Sequence, residues 1–426
     1  MTNTGAWSRK LREDVIAFPR DGAGEIIRDP LWDNIRLEPA AASAIDTPAF
    51  QRLRYVRQLG HAFLVYPGAT HSRFEHALGA YHLTRRALAT LDERGDLAGV
   101  DDRECLAVRL AALLHDIGHY PFSHALEEAG FGSHEQLGAR RLREGELAVL
   151  LHGLGGDWLI ERISGLMQGT SDSPLAGLVS GSLDLDKIDY LSRDARMCGV
   201  PYGTVDVDRL LASLALVEHP DGSREMGVQE KGVSALESLL FAKYQMYRNV
   251  YWHHAVRSAT CMFKRAVRAT IAAGGFTTAE IEDVTDGTLD ALLSRHDPSG
   301  LARALRERRL YKRALDLSAS VVPDDLPQWI WNDVEALEQA EHALARELDL
   351  PPGGVLIDYP ERESMLSVDL PLLTRGGMVE RLTDAGRAGE LGLPRVADEL
   401  YRSARRLRIF TVEPRQLKGI PGLLLA

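Results

Sequence analysis

An apolar run, Leu113-Leu114, ends in the adjacent pair His115-Asp116, and two further histidines follow at His119 and His124. Imidazole nitrogen and carboxylate oxygen together make a ligand set suited to a catalytic divalent metal. The doublet alone is equally well read as a helix-end carboxylate with a neighbour, because adjacent helical residues do not share a face. Its company changes that reading. His76 stands upstream in Ser72-Arg73-Phe74-Glu75-His76, and Asp186 stands downstream in Asp184-Leu185-Asp186-Lys187. Three buried helices delivering His76, His115-Asp116 and Asp186 to one point would leave positions open for water and substrate. Such a centre lowers the pKa of bound water and polarises a phosphoryl oxygen. Arg73, one turn before His76 on the same face, is within reach of a phosphate.

The elements that must position these residues can be read from hydrophobic spacing and punctuation. Residues 1–30 carry Pro19, Gly22, Gly24 and Pro30 and read as irregular. A short helix is expected over 40–45. A second, over 50–59, turns Phe50, Leu53 and Val56 inward and leaves Arg52 and Arg54 on its flanks, with Gly60 as its stop. Residues 63–66 read as a strand closed by Pro67-Gly68. Thr70 or Ser72 caps a helix over 73–94, and another spans 103–117 with Gly118 as its C-terminal stop and Pro121 preventing continuation. Ser133-His134-Glu135-Gln136 has the form of a capping box and opens a helix to about residue 143. Two short helices fill 147–180, and an acid-started helix begins at 182–191. The region 205–216 reads as helix, 226–229 as strand and 234–272 as one long aromatic helix. Helices with charged faces occupy 276–350. After Pro351-Pro352 come strand-like runs at 355–357, 365–368 and 407–412, and a helix over 396–406.

This outline is mainly α, a helical core with a small α+β segment at the end. Its parts are an irregular start (1–30), a catalytic domain (31–275) and a C-terminal region (276–426) suited to oligomerisation or regulation. At 426 residues, with 45% hydrophobic and 26% charged residues, the chain suits one large or two modest globular domains. Its three cysteines, Cys105, Cys198 and Cys261, lack zinc-knuckle spacing and are odd in number, so a reducing, cytoplasmic setting is expected. No stretch of about 18 apolar residues predicts a membrane span. A net charge of -11 disfavours nucleic acid as a partner, although the basic strips at 303–313 and 402–408 keep it under consideration.

In order, His76, His115-Asp116 and Asp186 resemble the H…HD…D pattern of the HD superfamily of metal-dependent phosphohydrolases. The strings around them are similar to its dNTP triphosphohydrolase branch, bacterial and vertebrate: 45–48, 50–59, Pro67-Gly68-Ala69-Thr70-His71-Ser72, 115–124, 184–194 and 244–254. The resemblance covers roughly residues 30–270. It implies an HD-type helical core and hydrolysis of a deoxynucleoside triphosphate to deoxynucleoside and inorganic triphosphate. It also implies a divalent metal (manganese, iron or magnesium) on His76, His115, Asp116 and Asp186. By the same resemblance His134 is the general acid and Glu127 orients it, at a position where the family often has Asp. His119 and His124 line the α-phosphate, Arg73 and Lys187 contact phosphates, and Tyr190, Gln58 and Asp194 meet the deoxyribose. Leu59 and Tyr190 crowd C2′, and Tyr251 lies near the sugar or base. Asp46, Gln51 and Arg54, with Arg308 and Lys312 of a neighbouring chain, match residues that bind an activating nucleotide, which implies a homo-oligomer, dimer or tetramer. Lys243 and Tyr247 stand where the vertebrate members have Arg and His, and Glu25 where a Lys is expected. Two rival readings stay open: an HD hydrolase of another nucleotide, and a nucleotide-sensing or nucleic-acid-binding regulator on the same fold.

Overall fold

The computed structural model describes residues 25–360, 369–382 and 392–425. Helices dominate, and three small sheets accompany them. The described chain opens on a hairpin, β1 (Glu25–Asp29) and β2 (Asp33–Leu37), where the glycines and prolines suggested irregular chain to residue 30. Ile35 and Leu37 of β2 are buried against α1 (Pro39–Ile45) and the core. Phe50, Leu53 and Val56 face inward as expected, but their segment is no single helix. A short helix, Pro48–Gln51, passes into a 3-10 turn, Arg52–Tyr55, and Val56 is extended. The strand expected at 63–66 is also replaced by a 3-10 turn, Gly60–Leu64. A short apolar run has no period of its own, and here no neighbouring strand pairs with it.

Five helices build the region around His115: α2 (Arg73–Glu93), α3 (Asp102–Leu114), α4 (His134–Arg141), α5 (Gly145–Met167) and α6 (Leu185–Cys198). Local chemistry starts them. Ser72 and Glu75 form a capping box on α2, and the side chains of Asp101, Ser133 and Asp184 accept from Arg103 N, Gln136 N and Lys187 N. Helix α2 lies between α3 and α6 and is buried on most of its circumference. Gly79 makes that approach possible, because a Cβ there would stand 1.8 Å from Asp189 Oδ1 of α6. The two short helices expected in 147–180 are the two halves of α5, which meet at a non-helical Gly156 (φ 64°), and a turn follows at Ala176–Leu178.

Farther along, α7 (Val207–Ser213) passes directly into β3 (Leu214–Glu218), so the helix expected to residue 216 ends three residues early; β4 (Arg224–Gln229) follows. The single helix expected over 234–272 is two, α8 (Val233–Met246) and α9 (His254–Ala272). Between them a π turn, Tyr247–Tyr251, and a break at Trp252–His253 let the Tyr247 ring meet Tyr251 and Trp252 edge-on, each at 5.1 Å. After α10 (Asp286–His296) and a short helix, Leu301–Arg306, the basic segment is not a long helical face. Arg308 adopts a left-handed φ of 53°, and Lys312–Ser318 forms β5, a strand that the reading of 276–350 as helices did not foresee. Then come α11 (Val334–Glu347), β6 (Val355–Asp358), β7 (Pro371–Leu373), β8 (Val379–Arg381), α12 (Gly392–Ala404) and β9 (Arg406–Thr411). The strand-like run at 365–368 lies outside the described residues. One sheet runs β3-β4-β7-β8, with β4 and β7 parallel; another runs β5-β9-β6, antiparallel throughout.

Candidate active site

Helix α2 presents Arg73 and His76 in its first turn, and α6 presents Asp186 in its own. Helix α3 ends at Leu114, which frees His115 and Asp116 to turn toward both. His76 Nε2 lies 2.7 Å from Asp186 Oδ1, 3.2 Å from His115 Nε2 and 3.6 Å from Asp116 Oδ2. His115 Nε2 is 3.3 Å from Asp116 Oδ1 and 3.4 Å from Asp186 Oδ1. Ligand atoms bonded to one ion at about 2.0–2.2 Å stand roughly 3.0–3.5 Å apart, so this crowding matches a metal centre. Two imidazole nitrogens and two carboxylates suit a first-row divalent ion or magnesium. The opposite edges of both imidazoles are fixed: His76 Nδ1 is 2.8 Å from Asp189 Oδ2, and His115 Nδ1 is 2.9 Å from the Ala112 carbonyl. Asp189 is held in turn by Arg193, which also binds Asp29. Reading by motif did not single out Asp189 or Arg193, although Asp186, Asp189 and Arg193 share one helix face by spacing.

Gly118 does not act as a helix stop. Helix α3 has already ended, and a Cβ on Gly118 would lie 2.0 Å from His134 O and 2.3 Å from Gly138 N. Its missing side chain admits α4, and α4 brings His134 to the centre. The next turn is strained, with Phe122 and Ser123 both left-handed at φ 59° and 60°, a conformation costing about 1–2 kcal/mol per residue outside glycine. Asp286 holds it by accepting from Phe122 N (2.8 Å) and Arg57 N (3.1 Å), while Ser123 Oγ donates toward the Arg57 and Gln58 carbonyls. Arg52, expected on an exposed flank, instead donates to the carbonyls of His119 and Val284, and Arg141 donates to Ile117 O. None of Asp286, Arg52 and Arg141 carries a sequence signal, since each partner is remote in the chain.

On this turn the imidazoles of His119 and His134 stack at 3.8 Å, and Glu127 Oε1 lies 3.0 Å from His134 Nδ1 and 3.3 Å from His124 Nδ1. Burial works to raise the Glu127 carboxyl, but its hydrogen bonds to His124 and His134 outweigh that and hold it well below the usual carboxylate range. Burial likewise opposes ionisation of Asp116, and Arg73, His115 and His119 overcome it. Arg73 is committed to this centre: it donates to Asp116 Oδ2 at 2.8 Å and to Ser123 Oγ at 3.0 Å.

A cavity of about 1010 Å³ joins the two clusters. Its walls include Gln58, Leu59, Arg73, His115, Asp116, His119, His124, Glu127, His134, Asp186, Tyr190, Asp194 and Tyr251. Asp194 accepts from Tyr251 OH at 2.7 Å and faces His71 Nε2 at 2.8 Å. Burial raises the phenols of Tyr190 and Tyr251 well above their usual range, so both stay protonated. Lys187 is not brought to this cavity. Its ammonium bonds to Asp184, the cap of its own helix, and to Gly181 O. Elsewhere, Asp46 and Arg54 are exposed, Arg54 donates to Gln51 Oε1 at 2.7 Å, and Arg308 donates to Leu64 O at 2.8 Å. Lys312, exposed, begins β5.

Residues 73–194 match the family model described as HD domain, and residues 205–387 match that of the HD associated region. The chain belongs to the HD superfamily of phosphohydrolases. HD domains bind divalent metals, and the cluster of His76, His115 and Asp116 could hold one. Among curated HD relatives, the chain is 34% identical over 312 residues to an uncharacterized protein of Methanocaldococcus jannaschii, covering 73% of this chain and 64% of the relative. It is 30% identical over 268 residues to the deoxynucleoside triphosphate triphosphohydrolase SAMHD1 of Bos taurus, covering 54% of this chain and 44% of the relative. The matches thus span about half to two thirds of those relatives. A solved structure of a hypothetical protein from Aquifex aeolicus shares the fold at a TM-score of 0.71 and 30% identity, over 91% of this chain and 96% of that one. A phosphohydrolase from Bacteroides thetaiotaomicron shares it at 0.71 and 24% identity, over 92% of this chain and 100% of that one. Among the described residues no helix is long and apolar enough to cross a membrane.

Proposed function

We propose that this HD protein hydrolyses deoxynucleoside triphosphates to deoxynucleoside and inorganic triphosphate. The observation that carries the proposal is the Glu127–His134 pair, 3.0 Å apart, sharing one cavity with the His76–His115–Asp116–Asp186 centre. A proton donor beside a metal centre is what phosphoester cleavage with a poor leaving group needs. The relationship to SAMHD1, named a deoxynucleoside triphosphate triphosphohydrolase, supports the choice of substrate.

His76, His115, Asp116 and Asp186 would hold manganese, iron or magnesium. When bound, the ion supplies charge neutralisation at the α-phosphate and acidifies a water. Arg73 keeps Asp116 ionised and adds positive charge on the phosphate side, where His119 and His124 line the wall. Glu127 accepts from His134 Nδ1 and so leaves Nε2 to give a proton to the departing 5′-oxygen. Gln58, Asp194 and the protonated phenol of Tyr190 face the deoxyribose, Leu59 and Tyr190 crowd C2′, and Tyr251 borders the base. Lys187 enters only by leaving Asp184. Activation by a second nucleotide would use Asp46, Gln51 and Arg54 together with Arg308 and Lys312 from a neighbouring copy.

The test incubates purified protein with each dNTP, singly and in mixtures, under manganese, iron and magnesium. Release of triphosphate is the expected result. Release of phosphate or diphosphate instead would move the protein to another phosphohydrolase reaction, and bound nucleotide without turnover would make it a regulator.

A further inference from the structure

The second cluster has a geometry of its own. Glu127 Oε1 faces His134 Nδ1 at 3.0 Å, His124 Nδ1 at 3.3 Å and His119 Nδ1 at 3.8 Å. The ligand atoms of the four residues all lie within 4.8 Å of one another. Tetrahedral ligands bonded at about 2.0–2.1 Å are separated by roughly 3.3 Å, the middle of the observed range. Hydrogen bonding explains only part of the arrangement. His134 and His124 can each give a proton to Glu127, but neither nitrogen of the fully buried His119 takes part in a hydrogen bond. Its Nε2 approaches Asp116 Oδ1 at 3.0 Å without the alignment of one. A buried imidazole whose Nδ1 has no hydrogen-bond partner calls for one.

We propose that His119, His124, Glu127 and His134 form a second cation site, suited to a borderline-soft ion such as zinc, whose occupation withdraws His134 from proton transfer. Three imidazoles and one carboxylate favour zinc over magnesium or calcium, which seek oxygen. On binding, ring lone pairs and the Glu127 carboxylate form the new bonds; the Nδ1 proton of His134 leaves to solvent, and that of His124 leaves likewise or moves to its Nε2. The cavity gives the ion access, since all four residues line it. The same four groups therefore serve two exclusive states, a proton relay and a metal clamp. The site rests on geometry alone; the inhibition rests on the proton-donor role proposed above for His134.

Metal-stripped full-length protein is dialysed against excess zinc, freed of unbound ion, and its zinc per chain counted by mass spectrometry. Two ions per chain are expected in the wild type, and one in Glu127→Gln and in His134→Gln. His76→Gln should lose the first ion and keep the second, with Asp186→Asn as the substitute if circular dichroism shows His76→Gln unfolded. A wild-type count of one, or a second ion kept at unchanged affinity in both Glu127→Gln and His134→Gln, overturns the site. Zinc added to manganese-loaded protein should lower turnover at least tenfold, and undiminished turnover with two ions bound would overturn the inhibition. A wild type that turns over no dNTP at all would instead count against the proposed substrate, and the ion count would still decide the site.

Discussion

Two buried polar clusters border the same cavity and are built on opposite principles. Around Arg257 every strong charge has its counter-charge: Nε and the guanidinium edge bind Asp358 of β6, while the two terminal nitrogens reach Glu128 at 2.9 and 2.8 Å, where Lys264 also donates. Around His76 and His115, two imidazole nitrogens stand 3.2 Å apart beside two carboxylates that both of them approach. The first cluster is complete as it stands and fastens the β5-β9-β6 sheet to the turn bearing Glu127. The second sets two imidazole nitrogens and two carboxylates at spacings that one shared cation would bridge. Complete pairing marks a structural joint, and crowding of like donors marks a site.

That contrast sets the experiments. Asp116→Ala should abolish turnover, by on the order of 10³-fold or more, with loss of bound metal; retained activity would remove Asp116 from the centre. Arg257→Met strands Asp358, 2% exposed on its side chain, and should cost about 3–5 kcal/mol in denaturant unfolding. A cost near zero would show that the joint contributes nothing. Glu127→Gln keeps the shape and loses the charge, so kcat should fall about a hundredfold while the metal of the His76 centre stays bound; an unchanged kcat would take the carboxylate out of catalysis.

A pH-dependent effect concerns His61, stacked at 4.4 Å on Phe122. Burial, aided by Arg57, lowers its imidazole from the usual 6.5 to about 3. The unfolded chain therefore binds the extra proton first, and stability present at neutral pH is lost as pH falls from about 6.5 toward 3. His61→Phe should flatten the dependence of unfolding free energy on pH by up to about 1.4 kcal/mol per unit in that window. An unaltered slope would mean that His61 is not the titrating group.

What could be read from the sequence was local. Ser72 with Glu75, Ser133 with Gln136 and the acidic start of α6 place three helices because cap and helix are neighbours in the chain. The inward faces of Phe50, Leu53 and Val56, and of Leu106, Leu110, Leu113 and Leu114, follow from spacing in the same way. Failures occur where a distant partner decides. The break at Trp252–His253 is invisible in a helical pattern, because no Gly or Pro marks it. Strand β5 is recognisable only beside β9, and the bond between Lys187 and Asp184 emerges only from the folded side chains. Gly118 was legible as a special residue, but its close approach to α4 was not. The ligand order from His76 to Asp186 is a motif, whereas the arms that aim those ligands, Asp189, Asp286, Arg52 and Arg141, come from tertiary contact.

The parallel pairing of β4 with β7 has a consequence during synthesis. Val228 and Gln229 meet Leu372 and Leu373, so this edge of the sheet stays open while the whole intervening chain is translated. All four ligands of the metal centre emerge before that edge can close. A nascent chain would thus carry its reactive centre early and an unpaired strand edge late, which makes the interval before residue 373 leaves the ribosome the time of greatest exposure to aggregation.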